Sequence, residues 1–145
     1  MDNQTATCTV NVKDGIRIND IIWAKTNVST PDAFATKPEE LGKLFQWNRK
    51  ISWSATDTIR TNWNSSIPYG SDAWAKGNDP SPAGWHIPTS AEIKKLLDKA
   101  KVDNEWTTQN GVNGRKFTDK ASQKSIFLPA AGYRDKDGEI HDTGE

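Results

Sequence analysis

The segment at residues 82–93, PAGWHIPTSAEI, constrains the fold of this chain more than any other stretch. Thr89 and Glu92 have the spacing of a capping box, in which two side chains satisfy backbone N–H groups that a helix N-terminus leaves free. The apolar residues that follow have the i, i+3, i+4, i+7 spacing of one helix face, namely Ile93, Leu96, Leu97 and Ala100. We therefore predict a helix that starts at Thr89, and we expect Trp85 to anchor the preceding loop in the core.

The two histidines lie outside any metal-binding pattern. His86 has no second histidine or cysteine near it in the sequence, so we interpret it as a hydrogen-bonding residue beside the start of the helix. His141 lies among acidic residues near the end of the sequence, and we expect it to be solvated. Neither histidine predicts a metal centre.

The composition indicates one small domain with an aromatic core. The chain has 145 residues, 34% of them hydrophobic, and a mean hydropathy of -0.80, yet it contains seven tryptophans. Each Trp can bury a large area, so short elements joined by polar loops can share one core. We predict an α+β fold over residues 10–145, with short mixed or antiparallel strands, one or two helices and long irregular loops. Residues 1–9 are predicted to form a flexible arm.

The charge and hydropathy of the chain argue against two classes of partner. Its 19 basic and 19 acidic side chains give a formal net charge of zero, whereas nucleic-acid binding needs a basic surface. No apolar stretch approaches the length of about 18 residues that a membrane-spanning helix requires. We therefore expect neither a nucleic-acid partner nor insertion into a membrane.

Alternating apolar residues and turn dipeptides predict strands near both ends of the chain. Asp14 and Gly15 interrupt an alternation of Val and Ile residues, which predicts a hairpin or a bulge. The run IIWA at residues 21–24 predicts a central strand. Residues 125–134 predict a strand with Pro129 at an edge or a bulge, followed by a tight turn and a returning strand.

A second capping-box pattern precedes a short apolar run. Thr36 and Glu39 have the required spacing, and they predict a short helix through Leu41. The run LFQW at residues 44–47 is too short for its periodicity to distinguish a helix from a strand.

Residues 48–80 form the longest irregular stretch and sustain neither a helical nor a strand period. They contain three tryptophans, Trp53, Trp63 and Trp74. An irregular segment of this length in a compact domain is often functional. Two interpretations stay open: the indole rings pin the segment to the body of the protein, or they line a surface for a ligand.

The acidic residues near the end of the sequence and the single cysteine are weak indicators of a metal site or a catalytic site. Asp135 and Asp137 resemble the start of a calcium-binding loop, but the further ligands of such a loop do not follow. We interpret them as a hairpin turn, with a surface calcium site as the alternative. Cys8 is interpreted as a free thiol, with a lipid-anchored or a catalytic cysteine as alternatives. No carboxylate pair, nucleophile motif or phosphate loop predicts an enzyme.

Four blocks of the chain resemble, in the same order, the signature segments of the Fibrobacter succinogenes major paralogous domain family. They are residues 18–28, 42–48, 82–92 and 127–134. The resemblance implies a C-type-lectin-like fold, related to the folds of the formylglycine-generating enzyme and of phage receptor-binding proteins. This chain departs from the pattern at Ser81, where family members often carry a cysteine.

The resemblance also implies that the closing strands of the fold would follow Glu145. We therefore expect a domain that is incomplete at its C-terminus, or one whose sheet is completed by self-association or by a partner segment, because unpaired edges and apolar surface would otherwise be exposed. Members of the family are secreted, lipid-anchored or phage-borne proteins of gut and fibre-associated bacteria. We accordingly expect this protein to be extracellular or at the cell surface, or alternatively on a phage virion.

These observations lead to the hypothesis of a non-catalytic recognition module that binds a glycan or a protein and needs no cofactor. The candidate ligand-binding residues are Trp53, Trp63, Trp74, Tyr133 and Arg134. Stacking of exposed aromatic rings on sugar rings would be the physical basis of glycan binding. One alternative is a structural or assembly domain of an adhesin or phage fibre. Another is an enzyme of the formylglycine-generating type, whose chemistry uses a pair of cysteine thiolates, whereas this chain has one cysteine.

Overall fold

A computed structural model describes residues 14–67 and 74–145 of the chain. The predicted arm at residues 1–9, the thiol of Cys8 and the alternating residues Val10 and Val12 lie outside the described residues. The strands are β1 (Gly15–Ile18), β2 (Ile21–Ala24), β3 (Val28–Thr30), β4 (Ala33–Phe34), β5 (Lys43–Phe45), β6 (Ser52–Ser54), β7 (Val102–Gln109), β8 (Val112–Asp119), β9 (Ser125–Pro129), β10 (Tyr133–Arg134) and β11 (Ile140–His141). One α-helix, α1, spans Ser90–Leu96, and a 3₁₀ turn spans Lys76–Asn78.

The described strands pair only in antiparallel fashion. Four pairs are isolated hairpins, and β7, β8 and β9 form a three-stranded sheet with β8 in the centre. The domain is therefore built mainly of antiparallel strands with a single short α-helix, and long loops connect them. Among residues 14–67 and 74–145, no helix has both the length and the apolarity that crossing a bilayer would need.

The three-stranded sheet carries the hydrophobic core, together with α1 and the first hairpin. The core side chains are Ile18, Leu96, Val102, Phe117 and Ile126, each at most 4% exposed. Trp23 of β2 packs against this cluster. Its indole N–H is a buried donor without a hydrogen-bond partner among the described residues, which costs about 1–3 kcal/mol of stability.

The first described hairpin joins β1 to β2, whereas the hairpin or bulge predicted at Asp14 and Gly15 also involves Val10 and Val12, which lie outside the described residues. β1 and β2 are joined by Asn19 and Asp20, whose φ values are 43° and 66°, as a type I′ turn requires. Gly15 begins β1, where an added Cβ would lie 2.6 Å from the Trp23 carbonyl oxygen and 2.7 Å from the Trp85 ring. The predicted strand β2 is confirmed, but it belongs to a two-stranded sheet and is not central.

The helix starts where the sequence predicts and ends earlier. The Thr89 hydroxyl accepts the Glu92 N–H at 3.3 Å, and the Glu92 carboxylate accepts the Thr89 N–H at 2.8 Å, which confirms the capping box. Leu96 is buried, but Ile93 and Leu97 are 43% and 51% exposed. The predicted apolar stripe through Ala100 is therefore wrong, because the chain leaves helical geometry after Leu96 in order to enter β7.

Several shorter predictions are also settled by the local contacts. The Thr36 N–H and hydroxyl both donate to the Glu40 carboxylate, which closes a turn, so the predicted helix through Leu41 is wrong. The ambiguous run at residues 44–47 begins in β5, which pairs with β6. Pro129 lies in the edge strand β9, as predicted. The predicted turn at residues 135–138 is confirmed, and it joins β10 to β11.

Candidate functional site

A cleft of about 280 Å³ opens between the segment that follows β5 and the segment that begins with β10. Its aromatic lining residues are Phe45, Trp47, Trp63, Trp74 and Tyr133. Its polar lining residues are Gln46, Asn64, Arg134, Asp135 and Lys136. The fold thus brings four of the five predicted ligand-binding residues to one concave surface, although they lie far apart in the sequence.

One wall of the cleft is a pair of tryptophans. The rings of Trp47 and Trp74 lie 5.0 Å apart between centroids, with their planes inclined by 54°. The Trp74 indole N–H donates to the Asn78 carbonyl oxygen at 2.8 Å, and Asn48 Oδ1 accepts the Ala75 N–H at 2.9 Å. These bonds hold Trp74 in place while both rings stay half-buried, so part of each ring faces the cleft.

The second pair of tryptophans is Trp53 and Trp63, and the two rings have different roles: one pins the irregular segment, and the other also lines the cleft. Trp53 is 5% exposed, and its N–H donates to the Thr61 carbonyl oxygen at 3.0 Å. The prediction that Trp53 contacts a ligand is therefore wrong, because its ring pins the irregular segment to β6. Trp63 packs edge-on against Trp53, with centroids 4.9 Å apart, and donates its N–H to the Lys136 carbonyl oxygen at 2.9 Å. Trp63 thus pins the segment and also lines the cleft.

Arg134 is a structural clamp beneath the cleft. Its side chain is 1% exposed. The guanidinium donates to the carbonyl oxygens of Ser54 at 2.8 Å, Asp57 at 2.6 Å and Gly138 at 2.7 Å. Its donors thus join two segments of backbone, residues 54–57 and the turn at Gly138, an arrangement that suits the planar fork of Arg. The observed contacts of Arg134 are structural, and its contact with a ligand stays a prediction.

Tyr133 is positioned by a histidine and an aspartate. The Tyr133 ring is stacked on the His141 ring, with centroids 5.2 Å apart and an angle of 23° between planes. His141 Nε2 lies 3.0 Å from Asp135 Oδ2. His141 therefore has a structural role, and its side chain is still 42% exposed, as the expectation of a solvated residue requires. Tyr133 itself is 53% exposed, so its ring keeps a free face.

The acidic turn is organised as a hairpin turn. Asp135 Oδ1 accepts the N–H groups of Asp137 and Glu139, each at 2.9 Å. The hydrogen bond from His141, followed by that from the Glu139 N–H, holds the pKa of Asp135 below its usual value. Asp137 pairs with Lys136. Among the described residues, no group of three His, Cys, Asp or Glu side chains could hold a metal ion.

The charged groups around the cleft are already paired, whereas several neutral groups are not. Arg134 is bound to backbone carbonyls, Asp135 to His141, and Lys136 to Asp137. In contrast, none of the hydrogen bonds between described residues uses the Tyr133 hydroxyl or the Trp47 indole N–H. The cleft therefore offers aromatic faces and neutral hydrogen-bonding groups, and its chemistry suits a neutral polar ligand with apolar faces.

Trp47 and Gln46 are among the cleft residues that were not predicted as ligand contacts. Trp47 was treated only as part of a short run of undecided structure, although an aromatic residue between two amide residues is a reasonable signal for a polar site. Gln46 is 9% exposed and spans the cleft floor: its Nε2 donates to the Asn64 carbonyl oxygen at 2.6 Å, and its Oε1 accepts from Arg49 at 2.7 Å. Its role depends on a contact 18 positions away, which local sequence patterns do not encode.

No protein-family model, curated protein or solved structure matches this chain in the three comparisons with known proteins. The geometry of the cleft is therefore the basis for a functional proposal.

Proposed function

We propose that this protein is a non-catalytic recognition module that binds a neutral glycan in the cleft between Trp47, Trp74 and Tyr133. The observation that carries the proposal is the set of half-exposed aromatic rings around one concavity whose charged groups are internally paired. Sugar rings present apolar C–H faces that pack on aromatic rings, while their hydroxyls bind neutral donors and acceptors.

We further propose that the domain has a C-type-lectin-like fold and belongs to the Fibrobacter succinogenes major paralogous domain family. The four sequence blocks that resemble this family support the assignment. The build of short antiparallel strands, one short helix and long loops is compatible with it. Such a module would act outside the cell, at the cell surface or on a phage virion, where glycans are presented.

A non-catalytic role is part of the proposal. The acidic side chains nearest the cleft hold a turn, and the sequence contains one cysteine, so a pair of thiolates for formylglycine-type chemistry cannot form within one chain. The residues that surround the cleft fix one another through backbone carbonyls, which suits a rigid binding surface.

Screening on an array of neutral, sialylated and uronic-acid oligosaccharides, followed by titration calorimetry, tests the proposal. We expect binding to neutral members, with affinity lowered about five- to tenfold by Trp74→Ala or Tyr133→Ala, because each removes one stacking surface. Trp106→Ala is the control, since Trp106 is an exposed indole, at 48%, on strand β7 and does not line the cleft.

The glycan proposal is contradicted if no oligosaccharide on the array binds the intact protein. It is also contradicted if Trp106→Ala weakens binding as much as the two cleft variants do. Selective binding of the charged oligosaccharides would also contradict the proposal. It would mean that the charged side chains of the cleft leave their internal partners and bind the ligand.

A further inference from the structure

The β7–β8 hairpin contains two Asn–Gly pairs, Asn110–Gly111 and Asn113–Gly114, which the structure holds in different ways. An asparagine before a glycine is chemically labile, because the glycine has no side chain to hinder attack of its backbone nitrogen on the asparagine side chain. Both asparagines are exposed, so access to water does not distinguish them. The difference lies in the hydrogen bonds of each peptide group.

The peptide group between Asn113 and Gly114 is held on both sides by the sheet. The Asn113 carbonyl oxygen accepts the Ala130 N–H at 2.9 Å. Gly114 is paired with Thr107, and the alternation of pairs from the turn onward makes this a hydrogen-bonded pair, in which the Gly114 N–H donates to β7. The Asn113 side chain is held as well, because its Nδ2 donates to the Gly144 carbonyl oxygen at 3.0 Å. Attack at Asn113 therefore requires the ladder to open.

The peptide group between Asn110 and Gly111 is free. These two residues form the turn between β7 and β8, with φ values of 48° and 83°, as a type I′ turn requires. None of the hydrogen bonds between described residues uses the Gly111 N–H or the Asn110 carbonyl oxygen. A Cβ added to Gly111 would meet no atom within 4 Å. The attacking nitrogen is thus unbound, and the space around it is open.

The Asn110 side chain joins this turn to the segment at residues 36–41. Asn110 Nδ2 donates to Glu39 Oε1 at 2.7 Å, and Gln109 Nε2 donates to the same oxygen at 2.6 Å. The bond from Gln109, with a smaller contribution from that of Asn110, holds the pKa of Glu39 below its usual value, so Glu39 is ionised at neutral pH. A carboxylate in place of the Asn110 amide would have no proton to donate and would repel Glu39.

We propose that Asn110 is a site of spontaneous deamidation, whose product releases residues 36–41 from the β7–β8 turn. The Gly111 backbone nitrogen loses its proton and forms a bond to Asn110 Cγ, while the Cγ–Nδ2 bond breaks and the side-chain nitrogen leaves as ammonia. Water then opens the cyclic imide at one of its two carbonyl carbons, which gives aspartate or isoaspartate. Overall, an amide and a water become a carboxylate and an ammonium ion, with no oxidant or reductant. These residues do not line the glycan cleft, so the proposal is independent of glycan binding.

Peptide mapping of the intact protein after incubation at mildly alkaline pH tests the reaction. Trypsin cleavage after Lys101 and Arg115 gives one peptide that contains both Asn–Gly pairs. Fragmentation by electron transfer assigns the gain of about 1 Da to a residue and separates aspartate from isoaspartate. We expect Asn110 to be modified about tenfold faster than Asn113 or more, because Asn113 reacts only when the sheet opens locally.

The same incubation in concentrated urea is the matched control. Unfolding removes the hydrogen bonds that distinguish the two pairs, so we expect Asn110 and Asn113 to be modified at rates within about twofold of each other. Gly111→Ala adds a side chain beside the attacking nitrogen and should slow the reaction at Asn110. If Gly111→Ala does not fold, the comparison of folded and urea-treated protein decides the question with the unmodified chain.

A pair of variants tests the release of the segment. Asn110→Asp reproduces the aspartate product and keeps the turn, because Asp–Gly also suits a type I′ turn. We expect amide hydrogen exchange of residues 36–41 to become about five- to tenfold faster. In a Glu39→Gln background, the same substitution should change this exchange by less than about twofold, because the new amide can donate to the new carboxylate.

Three results would overturn the proposal. The first is modification of Asn110 and Asn113 at equal rates in the folded protein. The second is an Asn110 that stays intact in the folded protein over a period in which both sites react in urea. The third is unchanged exchange of residues 36–41 in Asn110→Asp, which would mean that the modification does not release the segment.

Discussion

Two regions of this domain are stabilised in different ways. In the sheet half, which comprises β1, β2, α1 and β7–β9, a continuous backbone ladder supports a cluster of buried aliphatic and aromatic side chains. In the loop half, which comprises residues 43–67 and 130–145, the strands are two or three residues long. Many backbone carbonyls there are bound by side chains, such as those of Arg134, Trp53 and Trp63.

The side-chain donors of the loop half join segments that are distant in sequence. Trp63 binds the carbonyl of Lys136, and the Thr143 hydroxyl donates to the Ala55 carbonyl oxygen at 3.1 Å. Arg134 joins the segment after β6 to the turn after β10. A loop can therefore be held rigidly without regular structure, provided that large donors satisfy its carbonyls. The glycan cleft lies in this half, where geometry depends on a few side chains.

The largest expected effect tests the packing of the sheet half. Phe117→Ala should lower the free energy of unfolding by about 3–5 kcal/mol, because it removes a ring that is 4% exposed and leaves a cavity. Urea unfolding monitored by circular dichroism measures the change. Leu97→Ala is the control, since Leu97 is 51% exposed, and we expect it to cost about 0.5 kcal/mol or less. Comparable losses in the two variants would contradict the assigned core.

The next effect tests the side-chain clamp of the loop half. Arg134→Lys should lower stability by about 2–3 kcal/mol, because one ammonium cannot reach the carbonyls of Ser54, Asp57 and Gly138 together, and buried acceptors are left unpaired.

Hydrogen exchange shows where the Arg134→Lys loss occurs. We expect faster exchange in residues 52–67 and 133–141 and unchanged exchange in β8. Uniform acceleration of exchange across both halves would mean that the domain unfolds as one unit. The two halves would then not differ in their stability against local unfolding.

The smallest expected effect is the loss of stability at acidic pH. Hydrogen bonds from the Asn19 and Ser122 N–H groups hold the pKa of Asp119 below its ordinary value in the sheet half, and bonds from His141 and Glu139 do the same for the pKa of Asp135 in the loop half. A lowered pKa in the folded state contributes stability above the unfolded Asp value of about 3.9. This stability is lost as the pH falls through the lower, folded value.

Acid titrations of two variants assign these contributions. Asp119→Asn should weaken the pH dependence of unfolding of the sheet half below about pH 4, and Asp135→Asn should weaken that of the loop half. Amide hydrogen exchange separates the two halves, because it reads the amides of residues 43–67 and 130–145 apart from those of β7–β9. A pH dependence that both variants leave intact would assign acid sensitivity to other carboxylates.

Local patterns were reliable where neighbours in sequence are also neighbours in space. The capping box at Thr89, the turn at residues 135–138 and the edge position of Pro129 were predicted correctly, since each depends on contacts or dihedrals within a few residues. The same logic failed at Thr36, whose N–H and hydroxyl bind the Glu40 carboxylate and not Glu39, because no apolar face follows that could stabilise a helix by packing.

Strand β7, at one edge of the three-stranded sheet, was not predicted. β7 has the sequence VDNEWTTQ, in which polar residues dominate and Trp106 is half-exposed. Its strand structure follows from pairing with β8 over eight residues. β-propensity depends strongly on such partners, so pattern reasoning on β7 alone could not find it.

The sequence by itself determined the aromatic character of the domain, its charge balance and the start of its helix, because these follow from residue types and short spacings. Only the tertiary structure decided which aromatic residues serve packing and which line a surface. Trp53 and Trp74 have similar local sequences rich in polar residues, yet one ring is 5% exposed and the other faces a cleft. The physical reason is that burial depends on contacts between distant segments, such as the clamp of Arg134 on residues 54–57, which no local period records.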